Sequence, residues 1–302
     1  MPTKPLLILG LLCLAWAMPA PAQAPLQVVA SILPQQYWIE RLGGDRVEVL
    51  TLVQPGDNEA TYSPGPATLA ALDGARAWFT LGVHFELQWQ QRITRDRPGL
   101  EVVYLAEGLP LRRVEENIAD IGRRHDHDHD HAGMPDPHTW TDPRLAARMV
   151  ARIGETLARL DPEGAPIYRE RSEALQSELL ALHAEIADLL APVEGRAFVV
   201  FHPSWGYFAD AYGLVQLPIE IGGREPGPRG LAEIIRRGRE TGARAVFVQP
   251  QFSQRSARAV AEALGAAVVE ADPLALDYVD NLRAVAARMA EALDAPSPGA
   301  TP

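Results

Sequence analysis

Apolar and polar positions alternate in blocks along this chain. Eight short runs, four in each half, are nearly continuous in apolar or β-branched residues, which is typical of parallel strands that are buried on both faces. The predicted strands are 27–33, 47–53, 77–82 and 101–106 in the first half, and 197–202, 216–221, 245–249 and 267–271 in the second.

Helical spacing of apolar residues fills most of the stretches between these runs. The predicted helices are 35–42, 64–73, 85–95, 204–212, 228–241, 253–264 and 277–293. Strand and helix therefore alternate twice, which indicates βαβ units and parallel sheets. The predicted fold class is α/β, with two lobes that each contain a four-stranded parallel sheet and flanking helices.

A longer helical zone separates the two halves. One predicted helix covers 143–160, with Asp142 as its N-cap and Pro143 at its first position. After a break, helical spacing resumes from Pro166 to Ala191, which is 26 residues and about 39 Å of helix. We interpret this segment as one long rigid helix that joins the lobes. The alternative is two ordinary helices of a single domain.

These blocks divide the chain into five parts. We predict a signal peptide at 1–24, an N-terminal lobe at 25–164, a linking helix at 165–191, a C-terminal lobe at 192–294 and a disordered tail at 295–302. Lys4, the apolar run 6–17 and the small residues at 20–24 are the three regions of a cleavable secretory signal, although a buried N-terminal helix is the alternative. Cys13 lies inside the apolar run and lacks the small residues that precede a lipidated cysteine. We therefore expect an exported, periplasmic protein that is cleaved near residue 24.

Composition limits the chemistry and the partners. Cys13 is the only cysteine, so a metal site in the mature chain must use imidazole and carboxylate rather than thiolate. The formal net charge is −11, and it becomes −12 when Lys4 leaves with the signal, because residues 1–24 contain no acidic residue. An acidic surface argues against nucleic acid as a partner and favours cations. We expect a monomer.

The histidines are concentrated in one place. Five of the eight lie within fourteen residues, and four of these five alternate with aspartate between 125 and 131. The four are His125, His127, His129 and His131. They lie in a charged segment without apolar periodicity, 112–133, that we predict to be an irregular loop. Imidazole and carboxylate bind divalent transition metals, so we interpret the run as an auxiliary loop that binds metal weakly. A solvated loop without a function is the alternative.

Three more residues are candidate metal ligands. His138 lies in a turn that begins with Asp136-Pro137. His202 ends one predicted strand and Asp272 follows another, at the edge where parallel sheets bind their ligands. Each could instead be structural: a hydrogen-bonded loop histidine, or a helix-capping aspartate.

Zinc normally takes a fourth ligand beside two imidazoles and one carboxylate. Glu59, His84 and a water molecule are the candidates, and for His84 we favour a structural or supporting role.

In their order and spacing, six short motifs resemble those of the metal-binding solute receptors of ABC importers for zinc and manganese, specifically the zinc-uptake receptors. They are Val53-Gln54-Pro55-Gly56, Asp136-Pro137-His138-Thr139-Trp140, His202-Pro203-Ser204-Trp205-Gly206-Tyr207-Phe208, Glu225-Pro226-Gly227-Pro228, Gln249-Pro250-Gln251-Phe252-Ser253 and Asp272-Pro273-Leu274. The resemblance implies two α/β lobes joined by one long helix, metal in the cleft between them, and ligand positions at His138, His202 and Asp272. It also implies that a histidine-rich loop before the second ligand marks the zinc branch.

One departure from the family pattern affects the metal site. The family's first ligand is a histidine in a Pro-Gly-x-x-x-His turn, and this chain has Ala60 at that position, in Pro55-Gly56-Asp57-Asn58-Glu59-Ala60. Three explanations stay open: Glu59 replaces the histidine, water completes a three-residue site, or the metal preference has changed.

The function we expect is capture of Zn²⁺ in the interlobe cleft and its delivery to the membrane permease of an ABC importer. A manganese or iron receptor of the same fold is the first alternative, because mixed nitrogen and oxygen ligands accept those ions. An exported zinc-dependent hydrolase is a second, although the chain has no His-Glu-x-x-His motif. A zinc-buffering protein or adhesin without a permease is the third.

Overall fold

The computed structural model describes residues 24–113, 134–220 and 225–295. Most of the predicted signal peptide, the run from His125 to His131 and the tail after residue 295 lie outside these residues. Within the described residues, no helix combines the length and the apolar character needed to cross a membrane.

The N-terminal sheet is parallel and has the strand order β2-β1-β3-β4. Its strands are β1 (Leu26–Ala30), β2 (Val47–Thr51), β3 (Ala77–Thr80) and β4 (Glu101–Tyr104). The helices that follow the first three strands are α1 (Leu33–Gly43), α2 (Pro66–Ala71) and α3 (His84–Arg95).

The C-terminal sheet repeats this topology, with the order β6-β5-β7-β8 and all pairs parallel. Its strands are β5 (Ala197–Val200), β6 (Val215–Pro218), β7 (Ala245–Val248) and β8 (Ala267–Glu270). Its helices are α6 (Gly206–Ala211), α7 (Pro228–Glu240), α8 (Arg255–Leu264) and α9 (Tyr278–Asp294). The predicted fold class is confirmed, and in both sheets the inner strands are the apolar ones. Every residue of β3, β5 and β7 is buried.

Two further helices lie between the sheets in sequence, α4 (Pro143–Leu160) and α5 (Ala165–Leu190). Asp142 caps α4, since its side chain accepts a hydrogen bond from the backbone N–H of Arg144 at 2.8 Å. The break between the helices is tied to the N-terminal lobe, because Arg46 donates two hydrogen bonds to Asp161, at 2.8 and 2.9 Å.

The long helix α5 has 26 residues and joins the two lobes. Its buried side chains recur at helical spacing and include Leu175, Leu179, Leu182 and Ile186. They belong to one apolar core that also takes in α1, α4, α9 and the facing strands of both sheets. The helix is therefore packed along its length rather than exposed between two separate bodies.

Candidate metal site

Polar side chains gather at the carboxyl edge of the C-terminal sheet. The register pairs Val200 of β5 with Pro218 on one side and with Phe247 on the other. Two residues beyond these three positions lie His202, Glu220 and Gln249. Because carboxyl ends of parallel strands share one edge, the register places Glu220 and Gln249 on either side of His202.

His202 is held by both neighbours. Its Nδ1 lies 2.9 Å from Oε1 of Glu220. Its backbone N–H donates to Oε1 of Gln249 at 3.0 Å, while Nε2 of Gln249 donates to the carbonyl of His202 at 2.9 Å. The imidazole also stacks on Phe252, with ring centroids 5.0 Å apart. These contacts fix the ring and leave Nε2 as the nitrogen that can bind a metal.

His138 is oriented in the same way by a carboxylate. Oδ1 of Asp136 accepts the backbone N–H of His138 at 3.0 Å and lies 2.7 Å from its Nδ1. A single 3₁₀ turn, Thr139–Thr141, follows and leads through Asp142 into α4. In both histidines a carboxylate therefore contacts Nδ1, and Nε2 is the nitrogen that can bind a metal.

Hydrogen bonds join the segment that carries His138 to the C-terminal lobe. The hydroxyl of Tyr207 donates to the carbonyl of Asp136 at 2.8 Å, and Nε1 of Trp140 donates to the carbonyl of Pro273 at 2.8 Å. His138 and His202, which are 64 residues apart in the sequence, are therefore both held by the C-terminal lobe.

Glu59 enters the site from the other lobe, on the loop after β2. The loop is shaped by short-range bonds: the N–H of Asp57 donates to the carbonyl of Gln54 at 2.9 Å, and the N–H of Ala60 donates to Oδ1 of Asn58 at 2.8 Å. Glu59 is only 2% exposed, and Ala60 is partly exposed. The carboxylate thus occupies the site one residue before the position where the family pattern has histidine.

Glu59, His138 and His202 bring three ligand atoms together. The Nε2 atoms of the two histidines are 3.1 Å apart, and each lies 3.6 Å from Oε1 of Glu59. With metal–ligand bonds of about 2.05 Å, a tetrahedral zinc ion would space its ligands about 3.4 Å apart, whereas an octahedral ion with equal bonds would space them about 2.9 Å apart. The two 3.6 Å separations are closer to the tetrahedral value, and the 3.1 Å separation of the imidazoles lies between the two values.

A comparison of two buried carboxylates shows what Glu59 lacks. Oε2 of Glu86 accepts backbone N–H groups from Leu81, Gly82 and Val83 at 2.6 to 3.1 Å. Oε1 of Glu59 is buried and has no hydrogen-bond donor among the described residues. Without a hydrogen-bond donor, this oxygen depends on the nearby histidines to balance its charge, and a cation between the two imidazoles would take over that role.

The charges of these groups are coupled. Burial lowers the pKa of His138, but the carboxylates of Asp136 and Glu59 outweigh burial and raise that pKa to about 9. Burial raises the pKa of Glu59, yet the nearby His138 and His202 bring it below its usual value. Asp136 behaves likewise: burial raises its pKa, but His138 and Arg112 outweigh burial and bring the pKa below its usual value. A metal ion must therefore displace a proton from His138.

Asp272 lies beside this group but does not belong to it as its side chain is placed. Its Oδ1 accepts Nε2 of Gln251 at 2.7 Å and the backbone N–H of Leu274 at 2.9 Å. Burial raises the pKa of Asp272, the two hydrogen bonds oppose the rise, and the charge of Glu59 adds to it. Its role as a ligand stays a prediction.

The remaining histidines with described positions lie apart from the group. Nε2 of His84, at the start of α3, is 2.7 Å from Nε2 of Gln88, and Nδ1 of His183 is 3.2 Å from the hydroxyl of Tyr212. The auxiliary loop histidines from His125 to His131 lie outside the described residues.

Sequence reasoning assigned no role to Glu220 and Gln249. Each lies just beyond an apolar strand, which is a detectable signal. That they flank His202 depends on the strand order β6-β5-β7, which the hydrophobic pattern does not state.

Known proteins resemble the chain in sequence. The family model described as zinc-uptake complex component A, periplasmic, matches residues 28–292. The high-affinity zinc uptake system protein ZnuA of Brucella abortus is 28% identical over 84% of this chain and 85% of its own length. The manganese-binding lipoprotein MntA of Halalkalibacterium halodurans is also 28% identical, over 74% of this chain and 71% of its own.

A solved structure agrees with the sequence matches. A crystal structure of ZnuA superposes with a TM-score of 0.80 at 37% identity, and the match covers 89% of this chain and all of that one.

Proposed function

Because this chain belongs to the family of periplasmic zinc-uptake components, as the match over residues 28–292 shows, we propose that it captures Zn²⁺ between its lobes. In this proposal Glu59, His138 and His202 bind the ion, and the protein then delivers it to the permease of an ABC importer.

Membership in this family confirms part of the predicted function. The protein is a metal-binding, substrate-binding component of an ABC uptake system for zinc or manganese. Proteins of this kind are transport components, so the hydrolase alternative is dropped and the chain is not an enzyme.

One observation carries the choice of zinc. Oε1 of Glu59 is buried without a hydrogen-bond donor among the described residues, and it lies 3.6 Å from the Nε2 atoms of both histidines. Two imidazole nitrogens and one carboxylate oxygen form a donor set that zinc prefers. The carboxylates of Asp136 and Glu220 would support it from behind, since each orients one imidazole through Nδ1.

The proposals of export and of delivery to a permease rest on other observations. The predicted signal at residues 1–24 and the periplasmic description of the family favour a location outside the cytoplasm. In that compartment the run from His125 to His131 would collect abundant zinc weakly, since imidazole and carboxylate bind divalent transition metals. The permease would be the partner that takes the ion from the tight site.

A direct test is zinc titration of the metal-stripped protein against a chromophoric chelator, followed by crystallography at the zinc absorption edge. We expect one tightly bound ion, with an anomalous peak about 2.0 to 2.2 Å from Glu59, His138 and His202. An anomalous peak that contacts neither histidine would overturn the site assignment, and the absence of tight binding would overturn the function.

Manganese is the second candidate ion. Asp272 lies beside the three donors and could add a second carboxylate, and oxygen-rich ligand sets suit Mn²⁺. One of the relatives is described as a manganese-binding protein. A competition titration of Zn²⁺ against Mn²⁺ decides between the two ions.

A further inference from the structure

The segment after β7 carries two glutamines, and each contacts a different candidate donor. Gln249 bonds the backbone of His202 through both ends of its amide. Gln251 reaches Asp272 instead, where its Nε2 donates to Oδ1 at 2.7 Å. The segment therefore supports an imidazole with its first glutamine and engages a carboxylate with its second.

The amide of Gln251 can contact Asp272 in only one orientation. Oε1 of Gln251 is buried and has no hydrogen-bond donor among the described residues, so Asp272 is the partner that orients this amide. The amide can only present Nε2 to a carboxylate, because its oxygen would be repelled. The backbone N–H of Leu274 donates to the same Oδ1 at 2.9 Å.

The backbone around Asp272 is also held. Nδ2 of Asn281 donates to the carbonyl of Asp272 at 2.7 Å, and Nε1 of Trp140 donates to the carbonyl of Pro273 at 2.8 Å. With its main chain anchored on both sides, Asp272 has its side chain as the part that can move towards the three donors. A turn of the carboxylate away from Gln251 and Leu274 would break both hydrogen bonds to Oδ1.

We propose that Gln251 determines metal specificity by holding the carboxylate of Asp272 outside the group formed by Glu59, His138 and His202. This inference rests on the proposed function and deepens it. With Asp272 held, the protein offers two imidazoles and one carboxylate, which four-coordinate zinc accepts once a water molecule is added. With Asp272 released, a second carboxylate becomes available, which favours the oxygen-preferring, higher-coordinate Mn²⁺.

The test is the ratio of Zn²⁺ to Mn²⁺ affinity, measured by competition in the full-length protein and its variants. Gln251→Leu removes the donor to Asp272, and we expect the ratio to shift towards Mn²⁺ by about tenfold, which corresponds to about 1.4 kcal/mol. Gln251→Asn keeps an amide that is too short to reach Asp272, and should shift the ratio the same way if the leucine variant folds poorly. Gln90→Leu, at an exposed position on α3, is the control and should leave the ratio unchanged.

A second substitution separates specificity from general damage. In Gln251→Leu combined with Asp272→Asn, we expect the ratio to return to the wild-type value, because the released side chain no longer carries a charge. Substitution with Co²⁺ gives a spectroscopic readout, since four-coordinate cobalt absorbs visible light far more strongly than six-coordinate cobalt. The visible absorption should weaken in Gln251→Leu and recover in the double variant.

Three results would overturn the proposal. They are an unchanged ratio in both Gln251 variants, a shift of equal size in the Asp272→Asn background, and a cobalt spectrum that does not respond to Gln251→Leu. If the wild-type protein binds neither ion tightly, the proposed function itself fails. Tight zinc binding with an unresponsive ratio rejects only the role of Gln251.

Discussion

The loop that carries Glu59 and the strand end that carries His202 supply donors to the same site but are built differently. The strand end lies between two neighbouring strands, and Glu220 and Gln249 hold His202 from both sides. The loop is shaped by bonds among its own residues, from Gln54 to Ala60. Glu59 is buried within this loop, without a hydrogen-bond donor to Oε1 among the described residues.

This difference separates two requirements of a transport receptor. The imidazoles are oriented before an ion arrives, so little order has to be created on binding. The carboxylate is on the less constrained side, and an ion would give its buried oxygen the partner that no hydrogen-bond donor among the described residues supplies. Affinity should therefore depend most on the histidines, while the loop with Glu59 is the part that adjusts.

The largest effect is expected at the constrained side. His202→Ala should lower zinc affinity by more than about 100-fold, because a ligand and the ring that Glu220 orients are both lost. Chelator competition measures the change. His183→Ala is the control, since His183 contacts Tyr212 away from the site, and it should bind zinc as the wild type does. Equal losses in both variants would argue against the assignment.

In the loop that carries Glu59, the substitution Glu59→Gln should weaken zinc binding by about 10- to 100-fold, since an amide oxygen is a poorer zinc ligand than a carboxylate. Glu86→Gln is a matched control, because Glu86 is equally buried but accepts three backbone N–H groups. The control should lower Tm and leave zinc affinity unchanged. If Glu59→Gln keeps full affinity, the loop does not supply a ligand.

Acidity should change affinity through His138. The pKa of His138 is raised from 6.5 to about 9, and only neutral imidazole binds zinc. Zinc affinity should therefore rise about tenfold per pH unit between about pH 6.5 and pH 9 and level off above that. The raised pKa also stabilises the metal-free fold below about pH 6.5, and this contribution is lost as the pH rises through about 9. Titrations at pH 6.5, 7.5 and 8.5 measure the slope, and a flat profile contradicts proton displacement.

A smaller effect is expected when the support of His202 is changed and its ring is kept. Gln249→Leu removes both bonds to the backbone of His202, so zinc affinity should fall about tenfold and the protein should lose about 2 to 4 kcal/mol of stability. Gln249→Glu can still accept the N–H of His202 but repels its carbonyl. It should show the same direction of change in affinity. Zinc titration and thermal unfolding report the two effects separately.

The smallest effect on tight binding is expected from the histidine run. Deletion of residues 124–131 should leave the tight site unchanged and remove only additional, weakly bound ions, because none of the three donors lies in that run. Isothermal titration counts both classes of ion. Loss of the tight ion in this variant would mean that the run, rather than the cleft, holds the transported metal.

Much of the fold could be predicted because buried parallel strands appear in the sequence as apolar runs. The errors lie mostly at the carboxyl ends: the strand predicted at 197–202 ends at Val200, and the one predicted at 245–249 ends at Val248. These ends are where the site residues His202 and Gln249 lie. The chain leaves the sheet before these residues, and apolar character alone does not mark that departure.

The site was predictable only in part. His138 and His202 are recognisable as histidines beside turns and strand ends, and Glu59 was one of three candidates for a fourth ligand, to which the family pattern around Ala60 added support. The side chain of Asp272 contacts a glutamine, Gln251, instead of joining the three donors. Such a choice is decided by hydrogen bonds across the fold, in this case to Gln251 and Leu274, and no local sequence signal encodes it.

The packing of α5 has a consequence for ion release. Glu178 of this helix forms an ion pair with Arg41 of α1 at 2.6 Å, and Glu185 forms one with Arg283 of α9 at 2.7 Å. The same helix therefore contacts both lobes. Swinging one lobe open would have to shear close-packed side chains rather than bend a connecting peptide. We therefore expect the radius of gyration from solution scattering to be the same with and without zinc, with the ion leaving past a loop and not through a widening of the whole molecule.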